Sequence, residues 1–252
     1  MKKFILSTSI TFFTVLSIFC PVYSIENTEK KFTDLSEKNI AYESVNLIVN
    51  KYKVISGFDN NTFRGDDLVD RYTYSVILYN TIEILNQKMT EIDQDVLLDI
   101  SPIINNFTLD MKIPDLDKNH WAYSKVSTLL SLGLIRPFSD NTFKGSDNVN
   151  YIGFAIGLGR VMDIINDNAP PVLKRKWKKE MTSSIKPIKE ITPNNPVYMP
   201  FKIAIENNLI DYKPELSYMK KNITRYEASM YLVRLINKLE ELRKYIVFTK
   251  IG

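Results

Sequence analysis

Apolar residues recur at helical spacing in separate stretches of the chain. Tyr74, Ile77, Leu78, Ile82 and Leu85 form one stripe, and Ala228, Tyr231, Leu232, Leu235, Leu239 and Leu242 form another. Each stripe follows a residue suited to start a helix: Asp70 before the first and Thr224 before the last, with Asn150 before a comparable apolar run between them. Side chains of this kind satisfy the free N–H groups of a first turn. Thr224 with Glu227 three residues later reads as a capping box. A shorter helix is expected before each long one, as over Trp121 to Leu132, ending where "KVI" or "GLI" passes into a loop. Within the loops, "FDNNTF" and "FSDNTF" place Asp and Asn where their side chains stabilise turns, and Asp59 and Asp140 are assigned that role. Phe63 and Phe143 then return an aromatic ring toward the helices.

The unit helix–loop–helix repeats. Asp34-Leu35 matches Asp115-Leu116, Ala41-Tyr42 matches Ala122-Tyr123, and Asn61-Thr62-Phe63 matches Asn141-Thr142-Phe143. Gly65 matches Gly145 and Val69 matches Val149. The offset is 81 residues at Asp34 and 80 at Phe63, so one residue slips between those points. A fainter third copy starts at Ile191, keeping the helices and the "NLI" turn but lacking "NTF". Helices apolar on one face must bury it against neighbours, so the units are expected to share a core in an all-α fold. The organisation reads as repeats at 32–90, 114–166 and 191–245, joined by connectors at 91–113 and 167–190. The second connector holds Lys174, Arg175, Lys176, Trp177, Lys178 and Lys179, read as a solvated helix face docked by Trp177 in preference to a contact for an anionic polymer.

Residues 1–24 read as an export signal: Lys2 and Lys3, an apolar stretch from Phe4 to Cys20, and Val22 and Ser24 ahead of a cleavage point near Ile25. The apolar stretch is too short and too rich in Ser and Thr for a good membrane span, so no transmembrane segment is expected after cleavage. Cleavage removes the one cysteine, Cys20, and lowers the net charge from +4 to +2. That mild charge does not fit a dedicated nucleic-acid binder. With one histidine, His120, and no cysteine in the mature chain, neither a zinc site nor a nucleophilic triad has enough ligands or bases. No metal or cofactor is expected. A hidden carboxylate pair could serve glycoside hydrolysis, but no stretch outside the repeats is long enough for a catalytic domain. The chain therefore reads as non-enzymatic.

The motifs "NHWAY" (Asn119 to Tyr123), "GFDNNTF" (Gly57 to Phe63), "FSDNTF" (Phe138 to Phe143) and "ITRYE" (Ile223 to Glu227), in this order and register, resemble the S-layer homology family. The resemblance covers roughly residues 32 to 245. It implies three repeats in pseudo-threefold packing with grooves between neighbours, and non-covalent binding of a pyruvylated, peptidoglycan-linked wall polysaccharide. It further implies that the arginine of the family's "TRAE" element contacts the ligand, which falls here on Arg71 in "VDRYT" and Arg225 in "ITRYE". A guanidinium suits that task because it is permanently charged and forks onto a carboxylate. Arg225 is ranked first because its helix start has the capping box, whereas Thr73 replaces the Glu beside Arg71. In the second unit Tyr151 takes the place, losing the charge but keeping a ring that could stack on a sugar or pack inside.

Trp121 stands where the family has its tryptophan, with two readings: a sugar platform, or the favoured core anchor of a first helix. His120 reads as a helix-start residue and Asp34 and Asp115 as caps of first helices. Seen without the repeat pattern, Arg71 and Arg225 would be surface ion pairs. The expected place of work is outside the cell membrane, at the cell wall, S-layer or periplasm. The alternative is a scaffold whose degenerate repeats bind an envelope protein partner.

Overall fold

The computed structural model describes residues 29–90, 112–168, 191–213 and 216–251. The expected signal, nearly all of the first connector and the basic segment around Trp177 lie outside the described residues. Among these residues seven helices follow in order: α1 (Tyr42–Asn46), which runs into a π turn (Leu47–Lys51), α2 (Arg71–Thr90), α3 (Tyr123–Ser131), α4 (Tyr151–Asn168), α5 (Tyr198–Glu206), α6 (Leu216–Met219) and α7 (Arg225–Ile251). Among the described residues there is no strand, only isolated bridges, so the fold is all-α.

The stripes legible in the sequence form the core. Tyr74, Ile77, Leu78, Ile82 and Leu85 on α2 are buried, as are Ala228, Tyr231, Leu232, Leu235 and Leu239 on α7. The second short helix starts at Tyr123, two residues later than the sequence suggests. The delay comes from a side-chain turn ahead of it, in which His120 Nδ1 accepts the Ala122 N–H at 3.2 Å. Asn39 and Asn195 do the same for Ala41 at 2.8 Å and Val197 at 3.1 Å. His120 is thus a helix-start residue, as expected.

The one-residue slip between the first two copies has a physical location. From Ala41 to Ile55 the first unit is one residue longer than the second from Ala122 to Ile135. The surplus is absorbed in the π turn at Leu47–Lys51, whose wider loop takes an extra residue without breaking the helix.

Packing between units runs in one direction. α2 lies on α3, α4 lies on α5, and α7 returns to α1 and the π turn. Where the three long helices begin, the backbone closes a ring. Val69 N donates to Ile223 O at 3.0 Å, Ile223 N to Val149 O at 2.9 Å, and Val149 N to Val69 O at 2.8 Å.

One step further, each long helix sends its first N–H to a different unit: Arg71 N to Asp147 O (3.0 Å), Tyr151 N to Lys221 O (2.8 Å) and Arg225 N to Asp67 O (3.0 Å). A helix leaves its first N–H groups without internal partners. Here the first is satisfied by a neighbouring unit and the third by the cap, with Asp70 taking Thr73 N at 2.6 Å, Asn150 taking Gly153 N at 2.9 Å and Thr224 taking Glu227 N at 3.2 Å. Glu227 closes the box by accepting Thr224 N at 3.0 Å. Asp70 caps the start of α2 as well, so the capping difference behind ranking Arg225 above Arg71 narrows to the return bond from Thr224 N to Glu227.

Candidate functional site

Two of the three long-helix starts carry the same cluster. Arg71, the first residue of α2, reaches into the loop of the second unit. Its Nε donates to Phe143 O at 2.7 Å and its Nη2 to Arg136 O at 3.1 Å. The guanidinium carbon stands 4.6 Å from the Phe138 ring centre and 4.7 Å from that of Phe143. Arg225 does the same in the loop of the first unit. Its Nε donates to Phe63 O at 2.9 Å and its Nη2 to Ser56 O at 2.8 Å, with the rings of Phe58 and Phe63 at 5.0 and 4.6 Å. Among the described residues neither arginine makes an ion pair. Burial lowers the pKa of both guanidinium groups, yet arginine keeps its charge in proteins. Five N–H donors serve each group, and the two carbonyl bonds leave the others for a further acceptor.

Each cluster has a buried and an exposed ring. Phe63 and Phe143 are fully enclosed, whereas Phe58 and Phe138 are 39% and 40% exposed. A second cation shares each exposed ring: Arg64 lies 4.1 Å from Phe58 and Lys144 lies 4.7 Å from Phe138. Both occupy the left-handed backbone region, at φ 52° and 51°. Sequence reasoning missed these four residues. The signal for Arg64 and Lys144 was the repeated pattern of a basic residue between "NTF" and glycine.

Asp34 and Asp115 hold the loops instead of capping helices, which corrects the expectation. Asp34 accepts Phe63 N and Arg64 N, both at 2.7 Å, and Asp115 accepts Phe143 N and Lys144 N, both at 2.7 Å. A carboxylate has two oxygens, and two consecutive N–H groups of the loop use both. Burial would raise the Asp34 pKa, but the two N–H donors outweigh it and hold the carboxyl below its ordinary value. Inside the turns, Asp140 accepts Thr142 N at 3.0 Å as expected. In the first loop Asn60, not Asp59, takes the matching position, bound by Thr62 Oγ1 at 2.6 Å.

Tyr72 and Tyr226 follow the two arginines and lie over Gly145 and Gly65. A Cβ on either glycine would fall about 2.0 Å from the tyrosine ring, so only glycine admits the close approach. Tyr72 also stacks on His120 at 3.9 Å, and His120 lies 5.5 Å from Trp121. Trp121 is 66% exposed and is not a core anchor. The residue after the turn-forming His120 faces water because the turn directs the next one, Ala122, inward at 0% exposure. Trp121 thus ends an aromatic row that starts at Phe143, on the Arg71 side.

The third junction differs. Tyr151 occupies the arginine position, is 1% exposed, and donates its hydroxyl to Asp211 O. Asp211 follows "LI" as Arg136 does and as Ser56 follows "VI", so the phenol bonds the carbonyl that a guanidinium bonds elsewhere. Tyr218 at 4.9 Å and Tyr231 at 6.3 Å pack around the ring. Of the two roles open to Tyr151, its burial matches packing. The expected ligand residues therefore stay apart: Arg71 with Trp121 on one junction, Arg225 on another, and Tyr151 inside the third.

Among the described residues no cluster of His, Cys, Asp or Glu is placed to hold a metal ion, and no helix is long and apolar enough to cross a membrane. The S-layer homology domain family matches residues 31–71 and 112–155, the stretches that build the two loops and both helix starts after them. No curated protein matches the chain significantly. S-layer homology domains are non-catalytic modules of cell-surface and envelope proteins that bind cell-wall polymers.

Proposed function

We propose that this chain, whose residues 31–71 and 112–155 match the S-layer homology domain, holds a carboxylate-bearing wall polysaccharide, of the pyruvylated type, at the Arg71 and Arg225 junctions. The third unit, residues 191–245, completes the two matched ones in a pseudo-threefold array, and its junction with the second unit is structural. The observation that carries this reading is the paired geometry of the arginines. Each is anchored by two carbonyls beside an exposed phenylalanine, with donors left over. A ligand carboxylate would take those donors, while the C–H face of a sugar would lie on Phe58 or Phe138. Trp121 extends the platform at the Arg71 junction only. The proposed setting is the cell wall or the periplasmic face of the envelope, reached by export.

The test is sedimentation of the protein with isolated wall sacculi, before and after their polysaccharide is removed. Binding should be lost on removal, weaken as salt rises because the contacts are partly exposed, and resist a chelator. Arg71→Lys with Arg225→Lys should reduce it while the fold persists, since lysine keeps the charge but loses the fork. If the folded double variant binds like the parent, the junctions do not hold the glycan, and the scaffold reading with a protein partner replaces this one.

A further inference from the structure

A second polar recess lies away from the arginine junctions. It encloses about 730 Å³ between the end of the π turn, the middle of α2 and the start of α3. That volume is within the usual range for small-ligand sites, roughly 300–1,000 Å³. Asn80 and Glu83 on its wall stand nine and twelve residues beyond Arg71, roughly 13–18 Å along α2 at helical rise. The recess therefore has its own ligand environment.

Three lysines line it from two units: Lys51 and Lys53 from the first, and Lys125 from α3 of the second. None of the three makes an ion pair among the described residues. Lys125 donates to Asn80 Oδ1, and Asn80 donates in turn to Val54 O at 3.0 Å, so this side of the recess is positioned. Among the described residues Glu83 is the one acid on the wall against three lysines, and Ile84 and Tyr52 add apolar surface.

The backbone that presents these lysines is the part of the first unit that departs from the repeat. The inserted residue and its π turn end at Lys51, and π turns are frequent at functional sites. Two residues later Lys53 adopts φ 54°, the left-handed position occupied by Gly133 in the second unit (φ 68°) and Asn208 in the third (φ 54°). Glycine or asparagine adopts that conformation more easily than lysine. Local strain at a rim residue, combined with an insertion that shapes the same rim, points to selection for a ligand.

We infer that the Lys51–Lys53–Lys125 recess binds an acidic saccharide, whose anionic groups are spaced along a chain of sugars. Lysine ammoniums are compact point charges with rotatable donors, suited to several spaced anions, unlike the single forked carboxylate that fits arginine. Asn80 and Glu83 supply partners for hydroxyls. The shared ligand chemistry is a carboxylate or phosphate borne on a glycan, and the recess would give the wall polymer a second point of attachment. The second attachment to wall polymer rests on the proposed function, whereas anion binding by the recess is independent of the arginine junctions.

The experiment is a nuclear magnetic resonance titration of the whole mature chain, following the side-chain amide of Asn80. The probes are trigalacturonate, for carboxylate, and tripolyphosphate, for phosphate. We expect one of them to shift Asn80 saturably at low salt, and whichever does so assigns the anion. Lys51→Gln with Lys53→Gly should weaken that binding about tenfold or more, as loss of charged hydrogen bonds requires. The melting temperature should hold or rise, because glycine relieves the left-handed position. Arg71→Lys with Arg225→Lys should leave the Asn80 response intact, which separates this site from the proposed wall-binding junctions. An Asn80 signal unmoved by both probes, or a parent-like response in the lysine variant, overturns the inference.

Discussion

The junction at Tyr151 and the junctions at Arg71 and Arg225 share a backbone and differ in chemistry. All three donate the first helical N–H across to another unit, and all three satisfy the same loop carbonyl from the same helix position. At two of them the donor is a guanidinium with bonds to spare beside an exposed ring. At the third it is a phenol with one donor, sealed among Tyr218 and Tyr231. The comparison separates two demands on one position. Closing the ring needs a donor to a carbonyl, which tyrosine can supply. Presenting charge to a ligand needs arginine together with the clamped "NTF" loop, and the stretch from Ile191 lacks the "NTF" sequence.

Removing every junction at once is the most severe way to break this comparison. Residues 32–90 expressed alone should show no cooperative urea transition by circular dichroism, whereas residues 25–252 should show one. The isolated unit loses the partners of its first helical N–H and the buried face of α2 together. A transition as steep as that of the full chain would contradict the shared core.

Next in size, Tyr151→Ala should destabilise the fold by about 3–5 kcal/mol, as for other buried aromatic truncations, read from urea midpoints. Affinity of the folded fraction for sacculi should stay within a few-fold of the parent. A large affinity loss with little destabilisation would place Tyr151 in a ligand site.

Arg71→Ala and Arg225→Ala sharpen the contrast in the opposite sense. Each should weaken wall binding about tenfold or more, since a charged hydrogen bond contributes about 1.5–3 kcal/mol. Each should also lower stability measurably, because two loop carbonyls lose their donor. The two variants should resemble one another, given that both helix starts are capped. Melting curves beside the binding data would keep unfolding from being read as lost affinity.

The smallest effect concerns the carboxylate clamp seen at both arginine junctions. The Asp34 carboxyl has a depressed pKa in the folded protein, so its contribution is present above the ordinary carboxylate pKa. It is lost as pH falls through the lower folded value. Asp34→Asn should therefore lower the melting temperature slightly near neutral pH and much less near pH 3. An equal loss at both values would show that charge is not what holds the loop.

Much of this was legible in the residues. Periodicity at 3.6 residues identified the buried faces of α2 and α7, and Asp70, Asn150 and Thr224 were readable as caps because capping is decided within one turn of chain. The repeat register placed Arg71, Tyr151 and Arg225 at equivalent positions and even disclosed the one-residue slip. What stayed hidden depended on partners distant in sequence. Asp34 meets Phe63 and Arg64 across about thirty residues, so nothing near it distinguished a loop clamp from a cap. Trp121 had the composition of a core residue, and only the turn at His120 decided that it faces water. The sequence alone determined which residues occupy the junctions. The tertiary structure decided which of them remain available to a ligand, because exposure and spare hydrogen-bond donors are properties of two units brought together.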